Sequence, residues 1–189
     1  MVIFVILTRK YMKPIFLIGY MGSGKSTLGN ALAPLTGLRF VDLDDYIESR
    51  EGMKISEIFA SRGEAAFREM ERQTLDEVAA MEDVIVGCGG GTPCRPGAME
   101  LMNARGTTVY LDASFPRLLE RLKEGRAKRP LIASLDDEEL ARFITSSLET
   151  RMPYYLLASE SFPSDRLEDE EQIAESCKAF ITRFIATKP

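Results

Sequence analysis

Residues Gly19-Tyr20-Met21-Gly22-Ser23-Gly24-Lys25-Ser26 fill every fixed position of the pattern G-x-x-x-x-G-K-[ST]. They lie between a continuous apolar run, Ile15-Phe16-Leu17-Ile18, and a helical stretch that opens at Lys25. Glycines in such a loop let successive backbone N–H groups turn inward around phosphate oxygens, and the amino end of the helix adds its positive dipole. Lys25 would then pair with β- and γ-phosphates, and the Ser26 hydroxyl would reach Mg²⁺. An ordinary glycine turn between strand and helix leaves Lys25-Ser26 unexplained. The chain must therefore supply a buried strand, a phosphate loop and a helix in that order, which is the opening unit of an α/β fold.

The remaining sequence continues the alternation. Pro34 stops or kinks the first helix, expected from Lys25 to about Ala33, and Gly37 punctuates the turn after it. Leu38 to Leu43 is a second strand ending in Asp42 and Asp44. Short helical pieces follow, with Ile55, Ile58 and Phe59 on one face, and the spacing of Ser61-Arg62-Gly63-Glu64 predicts a cap for a longer helix carrying Phe67, Met70, Leu75, Val78 and Met81 on one stripe. Val84-Ile85-Val86 is a third strand that leads into Gly89-Gly90-Gly91, Pro96 to Ala104 a helix, Thr108 to Leu111 a fourth strand, and Phe115, Leu118, Leu119 and Leu122 mark another helix after Ser114. Asp136 caps a helix to about Thr150, a weak strand lies near Ser161-Phe162, and Ile173, Cys177, Phe180, Ile181 and Phe184 form an amphipathic terminal helix. Short strands apolar on both faces, alternating with helices, predict a parallel sheet covered on both sides.

Composition narrows the chemistry. The 189 residues include no histidine, so Ser-His-Asp and Cys-His centres, HExxH metal sites and imidazole proton shuttles are excluded. At about 150 residues per domain the length predicts one domain. Lys and Arg total 24 against 29 Asp and Glu, a net charge of −5, which argues against nucleic acid as a partner. Cys88, Cys94 and Cys177 form no CxxC pair and read as free thiols in a reducing compartment, Cys88 as a buried strand thiol. No apolar run approaches the ~18 to 20 residues of a membrane span, and the chain is expected to be cytoplasmic. Residues 1–11 are read as a mis-called start or a disordered lead-in, with Met12 an alternative start.

A phosphate loop does not name the reaction. The base-reading N-K-x-D of GTPases is absent, and Tyr110-Leu111-Asp112 is followed by Ala113 rather than the glutamate that a motor ATPase would want. The remaining large class is small-molecule kinases, which need an acceptor-side carboxylate, cations for substrate charge and a mobile cover that excludes water. Asp42 and Asp44 stand where ligands bind in parallel sheets, outside a strand's carboxyl end. They are expected on opposite sides, one serving Mg²⁺-bound water and the other a substrate hydroxyl; alternatively both cap the next helix. Gly89-Gly90-Gly91 permits close backbone approach to a ligand or is a flexible turn. The basic run Arg126-Ala127-Lys128-Arg129-Pro130 is either a solvated face or a phosphate-clamping lid. On base rates alone Arg68 and Arg151 read as surface residues rather than ligands.

Taken together, GYMGSGKS, VDLDDYIE, ISEIFASRGEAAFREMER, CGGGTP, KRPL and TRMPYY resemble the shikimate kinase family from Ile15 to about Ala186. The resemblance implies a single three-layer P-loop kinase domain with a five-stranded parallel sheet and helices on both faces, a helical substrate-binding insertion at residues 44–72 and a lid at 122–136. It implies transfer of the ATP γ-phosphate to the 3-hydroxyl of shikimate in aromatic amino acid biosynthesis, by a cytoplasmic monomer that uses Mg²⁺ and engages neither nucleic acid nor membrane. Gly22, Ser23, Gly24, Lys25, Ser26 and Thr27 would hold ATP phosphates, with Ser26 and, through water, Asp42 at the metal. Asp44 would bind the acceptor hydroxyl and act as or position the base. Arg68 and Arg151 would hold the substrate carboxylate, Gly89, Gly90 and Gly91 would contact the ring, and Arg129 would meet the transferring phosphate. Paired arginines suit an anionic acceptor because each presents a planar fork of donors. The chain departs from the family pattern at Ser161-Phe162-Pro163-Ser164-Asp165-Arg166, where relatives carry an adenine-contacting Arg or Asn before Pro, and at Pro34. Other readings are a different small-metabolite kinase, such as a gluconate kinase, and a non-catalytic nucleotide sensor.

Overall fold

The structure is a computed structural model and describes residues 11–186, so all but the last residue of the proposed lead-in 1–11 lies outside it. Five parallel strands stand in the order β2-β3-β1-β4-β5: β1 (Ile15–Ile18), β2 (Arg39–Asp42), β3 (Val84–Gly87), β4 (Thr107–Asp112) and β5 (Glu160–Pro163). Seven α-helices alternate with them among the described residues: α1 (Lys25–Thr36), α2 (Leu43–Glu51), α3 (Ile55–Val78), α4 (Ala98–Arg105), α5 (Phe115–Glu124), α6 (Asp137–Tyr155) and α7 (Glu170–Phe180). None is long and apolar enough to cross a membrane.

Alternation along the strands builds two cores. Phe16, Ile18, Val84, Val86 and Tyr110 face Leu75 and Val78 of α3, Met99 and Met102 of α4, Leu118 and Leu122 of α5, and Ile144 and Tyr155 of α6. Ile15, Leu17, Ile85, Val109 and Leu111 face Leu28 and Leu32 of α1 and Cys177 and Phe180 of α7. The sheet is thus the middle of three layers, as its doubly apolar strands predict. Ile47, Ile58 and Phe67 form a smaller cluster that binds α2 to α3. Phe59, expected on the same face as Ile58, instead stays 37% exposed.

Three helix boundaries differ from expectation. α1 passes Pro34 and ends at Thr36, where left-handed Gly37 donates its N–H to the Ala33 carbonyl. Pro34 lies in the last turn, where one missing N–H and one crowded carbonyl disturb little downstream helix. α3 is broken at Gly63 (φ 78°), as the sequence suggests, but the Ser61 hydroxyl donates to the Glu57 carbonyl behind it instead of capping the helix ahead. α6 runs to Tyr155, five residues past Thr150, after a full capping box between Asp136 and Glu139. The three cysteines are free, and Cys88 and Cys177 are buried.

The topology also locates a crevice. The chain leaves β1 toward β2 and leaves the neighbouring β4 toward β5, so the connections diverge beyond the carboxyl ends of these adjacent strands. The glycine-rich loop 19–24 fills that position.

Candidate active site

A cleft of about 470 Å³ opens over the amino end of α1. Gly22, Gly24, Lys25, Ser26 and Thr27 form its floor, Asp42, Asp44, Gly89 and Gly90 one wall, and Arg129 and Arg121 the other. Gly24 has φ +92°, a conformation that favours glycine, and a side chain there would also have to displace the Leu167 Cδ1 methyl. Ser23, also expected to meet phosphate, is buried, and its N–H donates to the Tyr20 carbonyl at 3.1 Å.

Lys25 Nζ donates to the carbonyls of Gly19 and Tyr20, both at 2.9 Å, which holds the ammonium against the loop. Burial lowers its pKa to about 8, opposed by the nearby carboxylates of Asp42 and Asp44. The Ser26 hydroxyl donates to Asp42 Oδ2 at 2.8 Å, while Asp42 Oδ1 accepts the Asp44 N–H at 3.1 Å. The two aspartates face one cleft, not opposite sides: β2 ends at Asp42 and α2 begins at Leu43, and side chains two residues apart would share a face even in a continued strand. Asp42 caps a helix and meets the Ser26 hydroxyl at once, so the cap and the ligand readings are compatible.

Asp44 sits in the first turn of α2 with its pKa raised to about 6, chiefly by burial and then by the charges of Asp42 and Glu71. A side chain on Gly89 would begin 3.1 Å from both Asp44 Oδ1 and Thr92 Oγ1. The glycine turn thus separates the aspartate from a second group. Within it Thr92 donates to Glu71 Oε1 at 2.6 Å, and Arg68 Nη1 donates to Glu71 Oε2 at 2.9 Å. Arg68 also bonds Glu64 and lies over the rings of Phe59 and Phe67, at 5.8 and 5.1 Å from their centroids. It lines a neighbouring cleft of about 590 Å³ with Glu71, Thr92 and Arg95, outside the first.

Arg151, from α6, stacks 5.4 Å from the Tyr20 ring centroid, and a side chain on Gly90 would begin 3.2 Å from its Nη1. One turn later, buried Tyr155 donates its hydroxyl to the Gly90 carbonyl at 2.7 Å. The spacing of four places both groups on the face of α6 that meets the glycine turn. Gly91 lines neither cleft. Arg129 Nη1 donates to the Gly125 carbonyl at 2.9 Å and its side chain borders the loop cleft.

Three groups at the site escape sequence reasoning. Arg121 donates to the carbonyls of Gly22, Ser164 and Asp165 and pairs with Glu168, joining the phosphate loop to the segment after β5. No local pattern marks these backbone acceptors. Glu71 does carry a signal, since it interrupts the buried stripe midway between Phe67 and Leu75. Tyr155 falls within the quoted TRMPYY segment, but nothing in its spacing points to the Gly90 carbonyl.

The family model for shikimate kinase matches residues 21–182. The chain is 49% identical over 170 residues to a shikimate kinase of Parabacteroides distasonis, covering 90% of this chain and 98% of that one. A crystal structure of shikimate kinase from Bacteroides thetaiotaomicron superposes with a TM-score of 0.87 at 44% identity, over 92% of this chain and 98% of that one. The Acinetobacter baumannii enzyme, solved in complex with shikimate, gives 0.75 at 30% identity over 90% and 92%. With a P-loop, an aspartate-lined cleft and similarity along nearly the whole chain, the protein belongs to the shikimate kinase family.

Proposed function

We propose that the chain transfers the γ-phosphate of ATP to the 3-hydroxyl of shikimate, giving shikimate 3-phosphate and ADP in aromatic amino acid biosynthesis. One observation carries the reading: the amino end of α1 and the Asp44 carboxylate line the same cleft, so a nucleotide phosphate and an acceptor hydroxyl can meet there. Similarity to a kinase solved with shikimate supports the choice of acceptor.

In this reading the loop from Gly22 to Thr27 holds the phosphates through backbone N–H groups and the helix dipole. Lys25 and Arg129 balance charge on the transferring group, and Asp44 orients the acceptor hydroxyl and takes its proton. A loose phosphoryl transition state asks little of a base, so an aspartate suffices where no histidine exists. Arg151 and Arg68 grip the acceptor carboxylate as forked donors, and the glycine turn 89–91 lets the ring approach the backbone. Residues 44–72, in α2 and α3, serve as the acceptor-binding insertion and residues 122–136 as the lid. Arg121 and Leu167, at the outer end of the loop, offer a planar cation and an apolar surface for the nucleotide base.

The residues fit Mg²⁺. A hydroxyl and a carboxylate joined at 2.8 Å, Ser26 and Asp42, are hard oxygen donors, and no cluster of three acidic, Cys or His ligands lies among the described residues. That is the donor set of an ion held partly by substrate phosphates and water. Ser26 would hold it directly and Asp42 through water. When bound, it would neutralise phosphate charge.

A coupled assay for ADP with a panel of shikimate, gluconate and other hydroxy acids tests the assignment. Shikimate alone should support turnover. Turnover with gluconate in its place would point to another metabolite kinase, and none with any acceptor to a nucleotide sensor.

A further inference from the structure

The two arginines of the acceptor side are held in different ways. Arg68 is fixed by carboxylates, donating to Glu64 and to Glu71. Arg151 forms no ion pair with a carboxylate among the described residues. It meets instead the face of Tyr20, whose ring centroid lies 5.4 Å from its Cζ, and the Gly90 turn, where a side chain would begin 3.2 Å from its Nη1. A guanidinium within ~6 Å of an aromatic face is attracted by the ring's quadrupole. Such a contact engages the flat of the group and leaves its N–H edges free to fork onto a carboxylate, whereas an acidic neighbour would occupy those edges.

The ring is a fixed platform. Tyr20 is 1% exposed, and its carbonyl is tied into the phosphate loop, accepting from Lys25 Nζ at 2.9 Å and from the Ser23 N–H at 3.1 Å. Its hydroxyl lies beside Ser147, one turn before Arg151 on α6, yet is buried without a well-formed hydrogen bond. The ring, not the hydroxyl, is therefore the part of Tyr20 that serves Arg151. Without that platform a long side chain spreads over several rotamers, and the affinity for an anion falls in proportion to the fraction correctly placed.

We propose that Tyr20 is a positioning residue whose ring holds Arg151 in the orientation that receives the acceptor carboxylate. Its side chain lines neither cleft, so it acts through Arg151 and not by contact with the acceptor. The inference deepens the proposed function and rests on Arg151 gripping an anionic acceptor.

Calorimetric titration of shikimate into the full chain, without nucleotide, tests it. Tyr20→Leu, which keeps an apolar side chain but no ring, should raise the Kd for shikimate about five- to tenfold and leave the Kd for ATP within about twofold of wild type. Tyr20→Phe, which restores the ring, should stay within about twofold for both ligands. In an Arg151→Ala background Tyr20→Leu should cost nothing further, because the group it positions is gone. Should Tyr20→Leu fail to fold, phenylalanines with one, two or three ring fluorines at position 20 supply the test, since fluorine weakens the negative ring face at nearly constant shape. The Kd for shikimate should then climb with each fluorine. An equal loss from Tyr20→Leu in both Arg151 backgrounds, a matching loss of ATP affinity, or a Kd indifferent to fluorination would overturn the proposal, while shikimate binding by the wild type upholds the function. Failure of the wild-type protein to bind shikimate would overturn the functional reading and this inference with it.

Discussion

The guanidinium of Arg129 occupies the space in which a side chain on Gly125 would begin. Its Nη1 lies 2.0 Å from that position and donates to the Gly125 carbonyl at 2.9 Å. The φ of Gly125, −90°, is open to any residue, so steric contact with Arg129 is the constraint. Gly125→Ala should displace Arg129 with little change in thermal stability. We expect kcat to fall about 10- to 100-fold, less than the 10³ or more that loss of an arginine at a transferring phosphate can cost. Steady-state kinetics beside a melting curve checks this, and an unchanged kcat would separate Arg129 from the chemistry.

Asp44 should be needed for turnover and costly to the fold. Asp44→Asn should abolish shikimate-dependent ADP formation while leaving ATP affinity largely intact. Its pKa rises from 3.8 to about 6 on folding, so between those values the native state binds the extra proton and stability falls as pH rises. Above pH 6 the penalty is fully present and amounts to at most ~3 kcal/mol. Asp44→Asn should accordingly raise the Tm at pH 7 and make less difference at pH 4. An unaltered or lowered Tm at pH 7 would contradict the burial argument.

The pH dependence should follow two groups. In kcat/KM for ATP, which reports free enzyme, activity should rise as Asp44 ionises near pH 6 and fall as Lys25 deprotonates near pH 8. Bound phosphates favour the ammonium form of Lys25, so in kcat the alkaline limb should move upward. With no histidine in the chain, the acidic limb must come from Asp44 or the nucleotide's own phosphate. The ¹³C carboxyl resonance of Asp44 in nucleotide-free protein distinguishes them: titration near 6 assigns the limb to Asp44, and titration near 4 does not.

Arg151 should act on the acceptor and not on ATP. Arg151→Ala is expected to raise the KM for shikimate by one to two orders of magnitude, the loss typical of a charged hydrogen-bonding partner, with the KM for ATP within about twofold of wild type. Parallel increases in both constants would place Arg151 in the nucleotide half of the site.

Much of this architecture is legible in the sequence because its signals are local. The runs at Ile15 and Val84 are apolar on both faces and can only be central strands, and Gly19 to Ser26 specifies its own strand-loop-helix context. Misreadings arise where two local rules compete. Asp42 and Asp44 look like residues of one continuing strand, but Asp42 ends the strand and caps α2, so Asp44 reaches the cleft from the first turn of a helix. Ser61 has capping spacing, yet its hydroxyl turns back to the Glu57 carbonyl. Non-local partners are less visible still. Arg121 bonds the Gly22 carbonyl 99 residues away, and only the folded chain brings the phosphate loop and α5 together.

The most direct measurement is product analysis by phosphorus and proton NMR after incubating the protein with ATP, Mg²⁺ and shikimate. Equimolar ADP and shikimate carrying phosphate on its 3-hydroxyl are expected, with formation lost in Asp44→Asn. ADP accompanied by free phosphate and unmodified shikimate, or phosphate on a different hydroxyl, would contradict the assignment.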